Sequence, residues 1–344
     1  MPRFLIVEPG ALNGQQGGRG ARGRNLEVFL KLYYGSAAVS TVSVEKLSSK
    51  ASFSADHLFI GIPSAISSKE LDRVSYQKLH LFDYRDNEKI IWGDTDESLL
   101  RSKTNSYLKA WTQEDWDEGF EWGALPIRRN SSLPYYLKFC RLTKGRAYLD
   151  RERSIDTTFL GNPVVIWKEN YGSSLVNTRI QWLEEIVSKE QFTFSGGFFM
   201  HGSVTEDLKA TTSPSLQPFF LNKGRINFAS YFNLMLNAKT ALAPPGNALW
   251  SYRHYEAIYA GAIPLSSDFR NARMLVPLPN DGIVHVKKGE SVIPQLERAL
   301  KMKTDNPGLP DENLNFLEQF MKDGSYHRKK SKLLERFMSQ LGKT

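Results

Sequence analysis

The chain has 344 residues, 41% hydrophobic and 24% charged, a globular composition that excludes a disordered polymer and, at roughly 100–200 residues per domain, implies two domains. No run approaches the roughly 18 apolar residues of a membrane span, the opening MPRFLIVEPG is too short and too soon polar for a signal peptide, and the single Cys140 excludes an internal disulfide and a multi-cysteine zinc site. The expected compartment is therefore the cytoplasm, and the net charge of +8 suits anionic partners: phosphates, nucleic acid or acidic polymers.

Residues 3–8, RFLIVE, read as a short buried strand. The next sixteen residues, PGALNGQQGGRGARGR, carry six glycines and no apolar period, so they read as a loop. Leu26, Phe29, Leu30 and Tyr33 then fall at helical spacing. Strand, glycine loop and helix open a doubly wound α/β domain. HLFIGIPSAI (57–66) and KLHLFDYRD (78–86) read as further strands, the latter ending in Asp83. The pattern turns irregular and aromatic over 104–150, and the domain boundary is expected near 125–153.

SIDTTFLGNP (154–163) restarts the pattern with a strand and a turn at Gly161. Helices are expected over 177–190 and 225–239, with strands at FTFSGG and in TALAPPG. A helix opened by Ser251 and closed by Gly261 follows, then a strand at 263–265 and another over 281–286. The rest reads as helical, the last helix packing back across the domains. The expected fold is thus α/β, with two Rossmann-like doubly wound domains facing across a cleft. They comprise 1–150 on the acceptor side and 151–320 for nucleotide binding, with 321–344 as a C-terminal helix.

The stretch NALWSYRHYEAIYAGAIPLSSD, 247–268, carries the most chemistry. Ser251 suits an N-cap and Gly261 a C-terminal cap. The free N–H groups at the start of the helix suit an anion such as a diphosphate. Arg253 in the first turn opposes the helix dipole, which a nearby anion would explain. Glu256 lies on the same face and can accept two hydroxyl hydrogen bonds, as a ribose offers. A surface ion pair between Arg253 and Glu256 is the plainer alternative.

The pattern Ser-x-Arg-x-x-Glu-Ala, Gly-x-Ile-Pro and a following Asp resembles the donor-site helix of GT-B glycosyltransferases, and within them the exostosin-like group. The Arg225-led segment FNLMLNAKTALAPPG and DTTFLGN add to the resemblance, which covers roughly 155–300. It implies that Glu256 binds the ribose of a nucleotide-sugar, expected to be a UDP-sugar, and that Arg253 and Arg225 neutralise its diphosphate. Pro245, Gly246, Asn247, Ser251 and Tyr252 would line the donor, with Gly161 at the first strand's turn. Two expected departures from the exostosin-like group are the membrane anchor, for which the sequence shows no apolar run, and a cysteine-rich N-terminal half, where it has only Cys140. Phage glucosyltransferases that modify DNA bases carry a similar helix, and in them too a strand ends in an Asp.

Glycosyl transfer needs a stabilised leaving group, and arginines with a helix N-terminus supply that without metal. An inverting reaction also needs a base. Asp83 is the first expectation and Glu8 the second, each at a strand end of the first domain; the plainer alternative for either is to cap a neighbouring loop or pair with Arg85. The glycine loop, with Gly17, Gly18, Arg19 and Arg22, is expected to cover donor or acceptor. Asp94 and Asp96 in GDTDES read as a surface turn and the histidines show no metal spacing, so no metal is expected. The expected function is metal-independent transfer of a hexosyl or pentosyl group to a hydroxyl of a glycan. A DNA-base acceptor and a non-catalytic nucleotide-sugar-binding module are the alternatives.

Overall fold

The computed structural model describes residues 1–8, 22–49, 52–62, 66–84, 90, 92, 96–113, 119–127, 133, 137, 142, 145–163, 173–199, 203–221, 226–246, 249–321 and 331–342. The chain divides into two compact units: 1–132 with 271–277 and 320–344, and 133–270 with 278–319.

The first unit contains β1 (Phe4–Glu8), α1 (Arg22–Tyr34), β2 (Val39–Ser43), α2 (Val44–Ser49), β3 (Phe53–Gly61), α3 (Ser68–Leu71), β4 (Val74–Asp83), α4 (Glu97–Arg101), β5 (Ser106–Lys109), β6 (Thr112–Gln113) and β7 (Glu121–Ala124). Its main sheet is parallel, in the order β2-β1-β3-β4-β5-β7. The first strand in sequence is thus internal, which is why Phe4 to Val7 are all buried. The helical spacing at Leu26, Phe29, Leu30 and Tyr33 marks the buried face of α1. Three strands of this sheet were not legible in the sequence. β2 is an edge strand with polar residues between Val39 and Val42, and β5 and β7 are only four residues each.

Two side chains and a hydroxyl cross the middle of this sheet. His57 Nδ1 lies 3.0 Å from His80 Nε2, and His80 Nδ1 lies 2.8 Å from Ser106 Oγ. Both rings are stacked among Phe4 and Phe59 and are essentially unexposed. Burial pushes His57 below its usual pKa and His80 down to about 3.

The second unit contains β8 (Ile155–Gly161), α5 (Ser173–Val187), β9 (Phe194–Phe199), α6 (Ser203–Thr211), β10 (Phe220–Leu221), α7 (Phe228–Asn237), β11 (Ala238–Ala243), α8 (Tyr252–Tyr259) and β12 (Ile263–Ser267). β13 (Ala272–Arg273), which pairs with β6, is part of the first unit. β14 (Val284–Val286), α9 (Ile293–Asp305) and α10 (Leu309–Glu318) complete the second unit. Its sheet is also parallel, ordered β10-β9-β8-β11-β12-β14. Phe159, Leu183, Ile186, Phe198, Leu265 and Leu296 lie in its core. Gly196 is obligatory in β9: its φ is +117°, and a Cβ would stand 1.9 Å from the Phe159 carbonyl oxygen.

Arg153 anchors the lower ends of two helices in this unit. It is 5% exposed and donates to the carbonyls of Met235 and Ala238 at 3.2 and 2.8 Å and of Ala260 at 2.7 Å. These lie at the C-termini of α7 and α8, where a cation complements the helix dipole. Gly261, at φ +70°, closes α8 as the sequence suggested.

The last helix, α11 (Lys332–Ser339), belongs to the first unit. Phe337 packs against Phe29 and Phe59, at ring-centroid distances of 5.2 and 6.5 Å. Ser331 Oγ caps the helix and lies 2.8 Å from the Tyr33 hydroxyl. The Gln340 amide pairs with both backbone groups of Ala124, at 2.6 and 3.3 Å.

A pH dependence follows from the buried histidines. Burial depresses His254 in the second unit to about 3 as well. A histidine kept neutral by the fold contributes its full stability above the unfolded pKa near 6.5. That stability is lost as pH falls toward the folded pKa, by about 1.4 kcal/mol per pH unit per group. The urea-unfolding free energy is therefore expected to fall steeply between pH 6.5 and 4, with most of the slope at His80 removed in His80→Gln. A flat profile over that range, or an unchanged slope in the variant, contradicts this reading.

Candidate functional site

In open α/β sheets, ligands bind beyond the C-terminal ends of strands where the winding reverses. The second sheet reverses between β8 and β11. Three chain segments meet at that reversal: Gly161–Pro163 after β8, Pro244–Gly246 after β11, and the N-terminus of α8.

Arg253 turns its guanidinium onto the end of β8. Its Nη2 donates to the Leu160 carbonyl at 2.9 Å, and its Cζ stands 4.6 Å from the centre of the Phe159 ring. Its Nε is buried without a hydrogen-bond partner among the described residues. A Cβ on Gly161 would approach Arg253 Nη2 to 3.0 Å, so glycine leaves the guanidinium room to lie against the strand end.

A second guanidinium reaches the same place from α5. Arg179 Nη1 donates to the Asn162 carbonyl at 2.8 Å, and its Nε to the Pro245 carbonyl at 3.1 Å. It thereby ties together the loops after β8 and β11. A Cβ on Gly246 would come within 2.6 Å of Arg179 Nη2. Burial first, and then the charge of Arg253, pull Arg179 down to about 9. Arg179 stays protonated at neutral pH, desolvated beside the charge of Arg253. An anion placed against them offsets that cost.

The start of α8 adds a partial positive charge. Ser251 is extended and caps the helix with its backbone carbonyl, which accepts from His254 N at 3.2 Å. Ser251 Oγ is buried and has no partner among the described residues. Tyr252, 37% exposed, meets Trp250 edge-on at 5.6 Å.

Glu256, one turn further along α8, is 4% exposed. It is therefore not half of a surface ion pair with Arg253. The Tyr231 hydroxyl of α7 donates to Glu256 Oε2 at 3.0 Å, and burial, then the Glu256 charge, raise the Tyr231 pKa and keep it a donor. Arg225 and Asn247 lie outside the described residues.

The first sheet reverses between β1 and β3, and Glu8 ends β1. Its carboxyl is half-buried against Gly23, where a Cβ would stand 2.8 Å from Glu8 Oε1. Burial, and then the neighbouring Glu27 charge, raise its pKa. Asp83 does end β4, but it is 2% exposed and accepts from Lys109 Nζ at 3.3 Å, itself wholly buried. A base must touch the acceptor hydroxyl, and this carboxylate is sealed in an ion pair between neighbouring strands. Of the two expected bases, Glu8 is thus half-buried at its strand end, whereas Asp83 is paired with Lys109.

Gly17, Gly18, Arg19 and Arg85 fall outside the described residues, as does the side chain of Arg22 at the start of α1. So does Asp94, whereas Asp96 caps α4 by accepting from Leu99 N at 3.0 Å. Among the described residues, no group of three or more His, Cys, Asp or Glu side chains could hold a metal ion, and no helix is long and apolar enough to cross a membrane.

Sequence reasoning missed Arg179, Tyr231 and His254. Arg179 sits within an ordinary amphipathic helix, NTRIQWLEEIV, where a basic residue reads as solvent-facing. The available signal was positional, since α5 is the crossover that leaves β8 at the reversal of winding.

The sequence matches no family model and no curated protein. The folded chain is similar to solved structures. A UDP-forming α,α-trehalose-phosphate synthase of Burkholderia xenovorans superposes with a TM-score of 0.54 at 11% identity, covering 99% of each chain. The α,α-trehalose 6-phosphate synthase of Burkholderia multivorans gives 0.52 at 12%, covering 99% of this chain and 96% of that one. Against S. aureus TarM, crystallised with UDP, the TM-score is 0.47 at 10% identity; the match covers 83% of this chain and spans only 55% of TarM. At these identities what is shared is the fold: the chain is an α/β protein of the GT-B type, built of two Rossmann-like units that each carry a six-stranded parallel sheet.

Proposed function

We propose that the chain is a glycosyltransferase that moves a sugar from a nucleotide-sugar, preferentially a UDP-sugar, to a hydroxyl of a glycan acceptor without a metal ion. One observation carries this reading. Two guanidiniums, Arg253 and Arg179, and the N-terminus of α8 converge at the reversal of winding in the second sheet. That arrangement suits a diphosphate whose charge grows as the glycosidic bond breaks. In this reading Glu256, held by Tyr231, binds the ribose. Pro245, Gly246, Asn247, Ser251 and Tyr252 line the donor, and Arg225 adds a further charge. Glu8 takes the acceptor proton if the anomeric centre is inverted. The similarity to a UDP-forming trehalose-phosphate synthase, and the exostosin-like pattern at 251–268, support the same donor class.

The test is a transfer assay with UDP-, GDP- and CMP-sugars, glycan acceptors and excess EDTA. The expected result is product from a UDP-sugar at an unchanged rate in EDTA. Loss of activity in EDTA with recovery in manganese would overturn the metal-free part. Donor binding without transfer to any hydroxyl would mark a non-catalytic module. Binding of DNA that weakens steeply with salt would favour the DNA-acceptor reading, which rests on the net charge of +8.

A further inference from the structure

The start of α8 is held by a chain of hydrogen bonds that the chemistry above does not use. His254 is fully buried on the first turn. The Ser251 N–H donates to His254 Nδ1 at 3.0 Å. On the far side of the ring, His254 Nε2 lies 2.6 Å from Ser266 Oγ, and the Ser266 hydroxyl donates to the Ala243 carbonyl at 3.3 Å. His254 Nδ1 also lies 2.9 Å from the Ser251 carbonyl oxygen, so either ring tautomer bonds His254 to Ser251 on one side and to Ser266 Oγ on the other. Phe269 closes the ring's edge at 4.8 Å. The chain therefore joins three places: the N-cap of α8, the last residue of β11 and the penultimate residue of β12. Ala243 immediately precedes the Pro244–Gly246 loop that Arg179 grips.

In the usual reciprocal cap, the third helical residue is Glu or Gln, which satisfies the N-cap amide and does nothing else. Here a histidine fills that position, and its second nitrogen reaches a strand. The amide bond alone would stabilise the helix end. The additional bond fixes where that end points relative to the sheet. A diphosphate site assembled from a helix end and two guanidiniums depends on that placement, because misplacing donors forfeits binding that intact donors would give.

We propose that His254 and Ser266 are positioning residues for the anion site: together they hold the amide-bearing end of α8 in register with the end of β11, so that the backbone donors and Arg253 address one diphosphate. The inference rests on the donor site proposed above.

Calorimetric titration of the whole chain with UDP and with uridine tests it, using four variants. Ser266→Ala breaks the link to β11 and leaves the cap bond. His254→Gln keeps the cap bond and is too short to reach Ser266. His254→Ala loses both, and Ser266→Thr keeps the hydroxyl. UDP affinity is expected to fall roughly five- to tenfold in Ser266→Ala and His254→Gln, by the scale of one lost hydrogen bond. It should fall further in His254→Ala and be retained in Ser266→Thr. Uridine affinity should stay constant in Ser266→Ala and His254→Gln, which a general loosening of the unit would not allow. Equal losses for UDP and uridine, or UDP binding by Ser266→Ala and His254→Gln at wild-type strength, overturn the proposal. If His254→Ala fails to fold, the other three variants still decide. Should the wild-type chain bind neither UDP nor GDP, the donor reading itself fails, a result distinct from variants that match a wild type that binds.

Discussion

Glu8→Gln is expected to lower turnover by roughly 10²–10⁴-fold, the range for a lost general base, with UDP affinity within about a factor of two of wild type. Glu8 ends β1 at the reversal of winding in the first sheet. Its pKa is raised by burial and then by Glu27, which brings a carboxyl closer to the operating pH, where a base works best. Glutamine keeps the shape and removes the basicity. Asp83→Asn should behave differently. Its carboxylate pairs with wholly buried Lys109, and removing one partner of such a pair typically costs about 3–5 kcal/mol of stability. Asp83→Asn should therefore lower the urea midpoint, while the turnover of the molecules that remain folded is largely preserved. Rates and midpoints measured on the two variants separate the roles. If Glu8→Gln turns over normally and folded Asp83→Asn does not, the assignment made here is wrong.

Arg253→Ala and Arg179→Ala are expected to weaken UDP binding by about 1.5–3 kcal/mol each, the scale of hydrogen bonds to charged groups, or roughly ten- to 150-fold. Uridine binding should change little, since neither guanidinium is assigned to the nucleoside. The two residues converge on one ligand, so the double variant should lose less than the sum of the single losses. Equal losses for UDP and uridine would remove the arginines from the diphosphate. Glu256→Ala supplies the contrast. It should weaken uridine and UDP alike, because the proposed contact is to the ribose.

Much of this was legible because the two sheets are parallel and buried. RFLIVE and HLFIGI are near-continuous apolar runs, and such strands announce themselves without alternation. The helix of 252–259 was bounded by its own chemistry, with serine at one end and a left-handed glycine at the other. β2, β5 and β7 were not legible. One is a polar edge, and the other two are shorter than any period can reveal. At the candidate site, Arg253 and Glu256 were singled out by their spacing within one helix. Arg179 was not, because its importance comes from packing across from another helix to the carbonyls of 162 and 245. The pairing of Asp83 was not legible for a related reason. A strand-end carboxylate looks alike in sequence whether it faces a ligand or a lysine on the next strand, and Lys109 lies 26 residues away. His254 carried no metal spacing and was passed over, although its place three residues after Ser251 is that of a reciprocal cap.

The most direct test of the central claim is a crystal structure of the chain grown with UDP. The account predicts the diphosphate beyond the ends of β8 and β11, within hydrogen-bond reach of Arg253, Arg179 and the first amides of α8, with the ribose hydroxyls toward Glu256. A diphosphate bound elsewhere on the chain, or one that leaves both guanidiniums on their carbonyls alone, would contradict it.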